Sequence, residues 1–145
     1  MTVTMADVRA ALDPDEVDYP AASALGPDAL PHLMTLVSGD DPGLAAKAAY
    51  LAGTLNAADI VATAATSGDA RVRVAAASAA SMLPAPEASQ VLTALVTDGD
   101  TGVQKLALRS VPAAASPELR DTVAGLSQAD TPLGNMATEA LNRIG

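Results

Sequence analysis

Residues 68–83, GDARVRVAAASAASML, open with Gly-Asp, place Val72 three residues after Asp69 and Ala76 four after that, and continue through Ala79, Ala80 and Leu83 at helical spacing. The same frame, Asp, two residues, Leu or Val, three residues, Ala, starts at Asp41, Asp69, Asp100 and Asp130. Its second column holds Leu44, Val72, Val103 and Leu133, and its third holds Ala48, Ala76, Ala107 and Ala137. The starts lie 28, 31 and 30 residues apart. Self-similarity at that period marks a stacked helical array, because one such unit is too small to bury its apolar face without a neighbour. The frame therefore predicts an all-α fold.

Working outward, each frame start is an N-cap candidate, with an Asp carboxylate accepting from free backbone N–H groups and contributing about 1 kcal/mol. Residues 5–12 form a short amphipathic helix with Val8 and Leu12 four apart. Asp13-Pro14 lies 28 residues before Asp41-Pro42 and has the form of a capped start with proline at the first helical position. Pro20 falls where later units carry Ala, so residues 1–25 are expected to form an acidic cap or degenerate repeat ahead of an array over residues 26–145. A helix from Gly26-Pro27-Asp28 to about Val37 puts Leu30, Leu33, Met34 and Val37 on one face. Leu44, Ala48, Leu51, Ala52 and Leu55 line the next helix, and Asn56 is a cap candidate for a return helix carrying Asp59, Ile60, Val61 and Ala64. The second unit points Val72, Ala75, Ala76, Ala79, Ala80 and Leu83 inward, and Pro84 and Pro86 precede a helix with Val91, Leu92, Leu95 and Val96. Val103, Leu106, Ala107 and Val111 face inward in the third unit, where Pro112 ends or kinks the helix. Ser116-Pro117-Glu118 combines a hydroxyl cap, proline and an acid in the positive first turn. The last helix, from Thr131 to about Ile144, buries Leu133, Met136, Ala137, Ala140, Leu141 and Ile144 and presents Gly134, Asn135, Thr138, Glu139 and Asn142 on a polar outer side.

Composition narrows the class. The 145 residues are 50% apolar with no Trp or Phe and only Tyr19 and Tyr50, so the core must be built from Ala, Leu and Val in closely approaching helices. A formal charge of −9 disfavours nucleic acid as a partner, since phosphate binding relies on clustered Lys and Arg. There is no apolar run of membrane-spanning length and no basic, then apolar start of a secretory signal, which makes a cytoplasmic location the simplest reading. Zero cysteines exclude disulfides, thiolate chemistry and Cys-based zinc sites.

Paired helices of about 30 residues, with the second helix opening Gly68-Asp69-x-x-Val72-Arg73 and continuing Ala-rich to Leu83, resemble the bacterial HEAT repeat, the class that includes the phycobilin lyase HEAT-like units. The resemblance spans roughly residues 26–145 and implies a right-handed α-solenoid of about four to five stacked hairpins. The Val-Arg pair occurs once; Ala45, Gln104 and Gly134 stand where Arg73 does. In this family the second helices usually line the concave surface, which would hold six of the eight cations, Lys47, Arg71, Arg73, Lys105, Arg109 and Arg143. Residues 1–41 carry a net −7 and the remainder −2, so a mildly basic groove beside an acidic N-terminal end is implied.

Candidate chemistry is sparse. Asp13, Asp15, Glu16 and Asp18 are dense enough for calcium, but an EF-hand from Asp13 would need Gly and Glu where Asp18 and Ala24 stand. His32 is the only histidine, leaving none of the His-Glu pairs of HEAT-like hydroxylases. Neither a nucleophile elbow nor a phosphate-cradling loop is present, so the chain is expected to be no enzyme and to need no cofactor. Positions two, five and nine after each capping Asp share one stripe, and from it Tyr50, Arg71, Lys105 and Arg109 are the candidate partner-binding residues. Tyr50 would be the apolar anchor and the cations would pair with carboxylates of a protein or peptide segment. The alternative for these cations is ordinary solvation on exposed helix faces. The expected role is a non-catalytic scaffold or adaptor that binds a partner protein in the groove. Rival readings are a phycobilin lyase or chaperone-like HEAT protein, suggested by the repeat kinship, and an immunity-type inhibitor using acidic residues 7–41 against a basic partner.

Overall fold

A computed structural model describes residues 2–144, whose regular elements are all helices with no strand among them. In chain order the elements are α1 (Met5–Leu12), α2 (Tyr19–Ala22), a 3-10 stretch (Ser23–Ala29), α3 (Leu30–Val37), α4 (Pro42–Thr54), α5 (Ala58–Ala65), α6 (Ala70–Ala80), α7 (Ala85–Leu95), α8 (Thr101–Arg109), α9 (Pro117–Leu126) and α10 (Pro132–Arg143). From α3 onward they pack as two rows. First helices touch in the series α3, α5, α7, α9 and second helices in the series α4, α6, α8, α10, and the rows touch within each pair α3 with α4, α5 with α6, α7 with α8 and α9 with α10.

The boundaries follow local chemistry. Asp41, Asp69 and Asp100 accept from the backbone N–H of Leu44, Arg71 and Val103 at 3.1, 2.8 and 3.1 Å. Ser116 caps α9 through Leu119 as its Ser-Pro-Glu start requires. The fourth frame start differs: Thr131, not Asp130, caps α10, with its hydroxyl 3.0 Å from the Gly134 N–H. Pro132 at the first helical position sets this register, because proline suits the residue directly after the cap. Asn56 does not cap α5 either. It takes φ +58° after α4, where Ala57 N–H reaches the Ala52 carbonyl and Asn56 N–H reaches that of Gly53, the paired bonds of a Schellman ending. Asparagine tolerates the left-handed region better than other side-chain-bearing residues, so the residue closes one helix instead of opening the next.

The N-terminal segment departs from a repeat. Asp13-Pro14 starts no helix; the chain stays irregular until Asp18, whose carboxylate caps α2. α1 keeps its amphipathic form, with Val8 and Leu12 fully buried and a reciprocal capping box between Thr4 and Asp7. That box holds the Asp7 carboxyl below its ordinary value, chiefly through the Thr4 backbone N–H. The segment is tied to the rows by His32 Nε2–H donating to the Val3 carbonyl at 3.0 Å and by Lys47 Nζ donating to the Pro14 carbonyl at 2.9 Å. Gly26, at φ +71°, kinks the 3-10 stretch and delays α3 to Leu30.

Along the rows the core is small. Ala48, Ala52, Ala76, Ala79, Ala80 and Ala107 are fully shielded, as are Leu51, Leu92, Leu108 and Leu119. Leu44, Ala75, Leu106, Leu133, Met136, Leu141 and Ile144 are only half-buried, while Leu36, Ala49, Ala77 and Leu108 take buried places. The closest approach is between α4 and α6. A methyl added at Gly53 would stand 2.8 Å from Ala79 Cβ, 2.9 Å from the Ala79 carbonyl oxygen and 2.7 Å from Met82 Cε. Met82 can swing aside, but the Ala79 backbone cannot. Gly134 is likewise buried, with the Ala129 carbonyl packed where a Cβ would be, so it belongs to the inner side of α10 and not to its polar outer face.

Gly53→Ala should destabilise the fold by about 1–3 kcal/mol of overpacking, partly offset by helix propensity worth about 1 kcal/mol. Gly43, whose added methyl would meet only Asp41 Oδ1 at 3.5 Å, should accept Ala with equal or higher stability. Thermal melts of the two variants beside the parent chain check the difference, and equal melting of Gly53→Ala and parent would show that the α4 to α6 spacing is not sterically set.

Candidate functional site

The stripe of second-helix positions lies on the accessible side of that row: Arg71, Lys105, Arg109, Asn135 and Glu139 are exposed, and Tyr50, Val74 and Ser78 half-buried. The structure does not make these residues equivalent. Tyr50 stacks on Tyr19 of α2, with ring centroids 4.4 Å apart and planes tilted by 53°. Burial first, and the neighbouring Tyr50 second, push the Tyr19 phenol above its usual value. The two tyrosines therefore pin the N-terminal segment to α4, and one face of the expected anchor is already covered.

Arg71 turns back onto its own cap. Its Nε donates to Asp69 Oδ1 at 3.1 Å and its Nη2 to Oδ2 at 2.9 Å, a bidentate pair in which the Arg71 side chain is still 71% exposed. Hydrogen bonds from the Arg71 side chain, then from its backbone N–H, lower the Asp69 carboxyl, and the same pair raises the Arg71 guanidinium. An exposed pair of this kind contributes little stability, but it presents a neutralised head to any ligand. Lys47 is engaged by Pro14, and Arg143 Nη2 donates to the Leu108 carbonyl at 2.6 Å, holding α10 to α8.

Lys105 and Arg109 remain. They stand four residues apart on α8, both exposed, and neither forms an ion pair among the described residues. They are therefore the members of the expected set with charge available to an outside group. The stripe thus divides into an N-terminal part satisfied internally and a C-terminal part that is not. Elsewhere a cavity of about 290 Å³ between α1 and the start of α4 brings Arg9 and Lys47 next to Asp13 and Asp41, whose opposite signs offset each other. Among the described residues no group of three or more His, Asp or Glu is disposed to hold a metal.

The strongest polar contact was not visible in the repeat frame. Arg73 Nε and Nη2 donate to Asp98 at 2.8 and 3.2 Å, and Nη1 donates to the Ser67 carbonyl at 2.9 Å, so one guanidinium ties the turn before α6 to the turn before α8. Both side chains are largely buried, 20% and 11% exposed. The partner is 25 residues away, beyond any helical spacing rule. A local signal does exist, since Ser67-Gly68-Asp69 and Asp98-Gly99-Asp100 are parallel turns in which the first side chain accepts from the N–H of the capping Asp. Gln104, at the place of Arg73 in the next unit, folds back similarly onto the Val96 carbonyl. On the other row, buried Ser89 accepts from the Ser116 N–H at 3.0 Å and joins α7 to the cap of α9.

Compared with models of known protein families and with curated proteins, the chain matches none.

Burial of Asp98 favours its neutral form, but hydrogen bonds from Arg73 and the Asp100 N–H, with the Arg73 charge, outweigh it and hold the carboxyl below its ordinary value. The folded state thus binds this proton less tightly than the unfolded chain. Its stabilisation is complete above about pH 4 and is lost as pH falls through the lowered value. Asp98→Asn should cost about 1–3 kcal/mol at pH 7 by leaving Arg73 without its counter-charge, and should flatten the fall in stability below about pH 4. Urea unfolding across that range reads both effects, and parallel acid profiles for the two proteins would contradict the assignment.

Proposed function

We propose that the chain is a non-catalytic protein-binding module, a right-handed α-solenoid of bacterial HEAT-like repeats acting in the cytoplasm. Its two helix rows, with Ala-rich contacts between successive second helices and a repeat period near 30 residues, support the solenoid reading. Binding is placed on the exposed side of the second helices, toward the C-terminal half. The observation that carries this is the pair Lys105 and Arg109: two exposed cations one turn apart on α8 with no ion pair among the described residues, in a chain of net charge −9 whose other second-helix cations are held by internal acceptors. Such a pair suits two carboxylates of an acidic or mixed-charge partner segment, while the Ala-built rows keep the surface rigid and limit the ordering cost of binding.

Tyr50 and Arg71 become supports of the array, Tyr50 by stacking on Tyr19 and Arg71 by closing on Asp69. Lys105 and Arg109 carry recognition.

In affinity capture from the host lysate, Lys105→Glu with Arg109→Glu should reduce retention of the bound protein by about tenfold or more. Arg71→Glu should retain it, and all three proteins should keep the same helical circular dichroism. Undiminished capture by the double variant would refute the site.

A further inference from the structure

The first-helix row carries a different surface. Between α5 and α7 lies an open recess of about 470 Å³, floored by Ala62, Ala65, Val91 and Ala94 and bordered by the acids Asp59 and Glu87, with no Lys or Arg in its lining. A second recess, of about 300 Å³ between α3 and α5, has Leu30 and Met34 in its wall and meets the first at Asp59. The two recesses share Asp59 in their walls and together run as a shallow apolar channel along α3, α5 and α7.

Within the channel the Glu87 side chain is anomalous. Its Oε2 is shut off from solvent yet has no hydrogen-bond partner. A shielded carboxylate oxygen without a donor loses its water and gains nothing in exchange, so recognition from outside falls to the rest of this half-buried side chain. Glu87 sits in the first turn of α7. Asp59, in the first turn of the adjacent α5, adds a second negative charge to the same recess. The methyl-lined floor leaves room beside these acids for a long aliphatic stem, and two carboxylates on neighbouring helices suit a planar, multi-donor head better than a single ammonium.

We propose that this recess docks an arginine-bearing amphipathic segment of a partner protein, with the guanidinium between Glu87 and Asp59 and its apolar residues over Ala62, Ala65, Val91 and Ala94. Charge complementarity selects the occupant: a second copy of this chain, at net −9, would bring like charge to an acidic groove. The segment lies in the furrow between helices as amphipathic helices do in other apolar grooves. This surface is on the opposite row from Lys105 and Arg109, so it goes beyond the proposed binding face and does not depend on it.

The test uses the full chain and a fluorescein-labelled synthetic helical peptide with leucine and alanine on one face and arginine at every fourth position, followed by anisotropy. The parent chain should bind it, Glu87→Gln should weaken binding by about tenfold or more, and Ala62→Arg, which puts a cation in the recess, should do likewise. Glu118→Gln, an exposed acid on α9, should change binding by less than about twofold, as should Lys105→Glu with Arg109→Glu. Equal weakening by Glu87→Gln and Glu118→Gln would reduce the effect to diffuse attraction and overturn the site. It would also be overturned by absent binding, by equal binding of a peptide with glutamine for arginine, or by self-association of the chain that competes with the peptide.

Discussion

The closeness of α4 and α6 sets the geometry of the whole stack. Ala45, Ala48, Ala49, Ala52 and Gly53 on one helix and Ala76, Ala77, Ala79 and Ala80 on the other are all buried, and Gly53 lies against the Ala79 backbone with no space for a methyl. Each such residue buries little apolar area by itself. The gain comes from bringing two helix backbones close, so that many dispersion contacts form at native packing density without ordering long side chains. A core with no Trp or Phe can hold together only on these terms. It also explains why the first helices, which carry Leu36, Ile60, Val91, Leu92 and Leu95, supply much of the larger apolar volume against the small-residue row.

Close packing of smooth Ala surfaces leaves little to fix how one unit sits on the next, and longer-range polar links supply that registration. Arg73 with Asp98, Ser89 with Ser116, and Arg143 with the Leu108 carbonyl each join elements 25 or more residues apart. The first two use shielded groups whose loss would leave a donor or acceptor unmet, so their effect is mainly specificity of packing. The frame position that holds Arg73 shows the local limit on this device. Ala45 is buried there, Gln104 reaches only its preceding turn, and Gly134 has the Ala129 carbonyl against its Cα. One strong rung is therefore placed at the middle of the stack.

The same accounting of donors and acceptors separates the surface charges that are engaged internally from those that are not. Arg71 and Lys47 have donors held by Asp69 and by the Pro14 carbonyl. Lys105 and Arg109 on one row form no ion pair among the described residues, and on the other row the shielded Glu87 Oε2 has no donor. The exposed cations of α8 and the acids of the α5–α7 recess thus lie on opposite rows, a division that the near-even charge balance of residues 42–145 conceals in one dimension.

Much of the architecture follows from sequence alone, because it depends on interactions within a few residues. The Asp frame, the caps at Asp41, Asp69, Asp100 and Ser116, the buried faces of Val8, Leu12, Val72 and Val103, and the all-helical content all rest on spacing and free backbone N–H groups. Where two local choices compete, residue type alone does not show the winner: Asn56 could cap a helix or end one and closes α4 as its left-handed residue, and Pro132 sets the last cap at Thr131 and not Asp130. The site was less legible. The sequence placed Tyr50, Arg71, Lys105 and Arg109 on one stripe, but which of them are engaged depends on Tyr19 and on a side chain folding back to Asp69, while Lys105 and Arg109 form no ion pair among the described residues. Glu87 and Asp59, 28 residues apart, share a recess only because α5 and α7 are neighbours in space. Periodicity states which side of a helix a residue occupies, whereas a partner 25 residues away is chosen by how the helices stack, and that is decided by shape and shielding across the whole molecule.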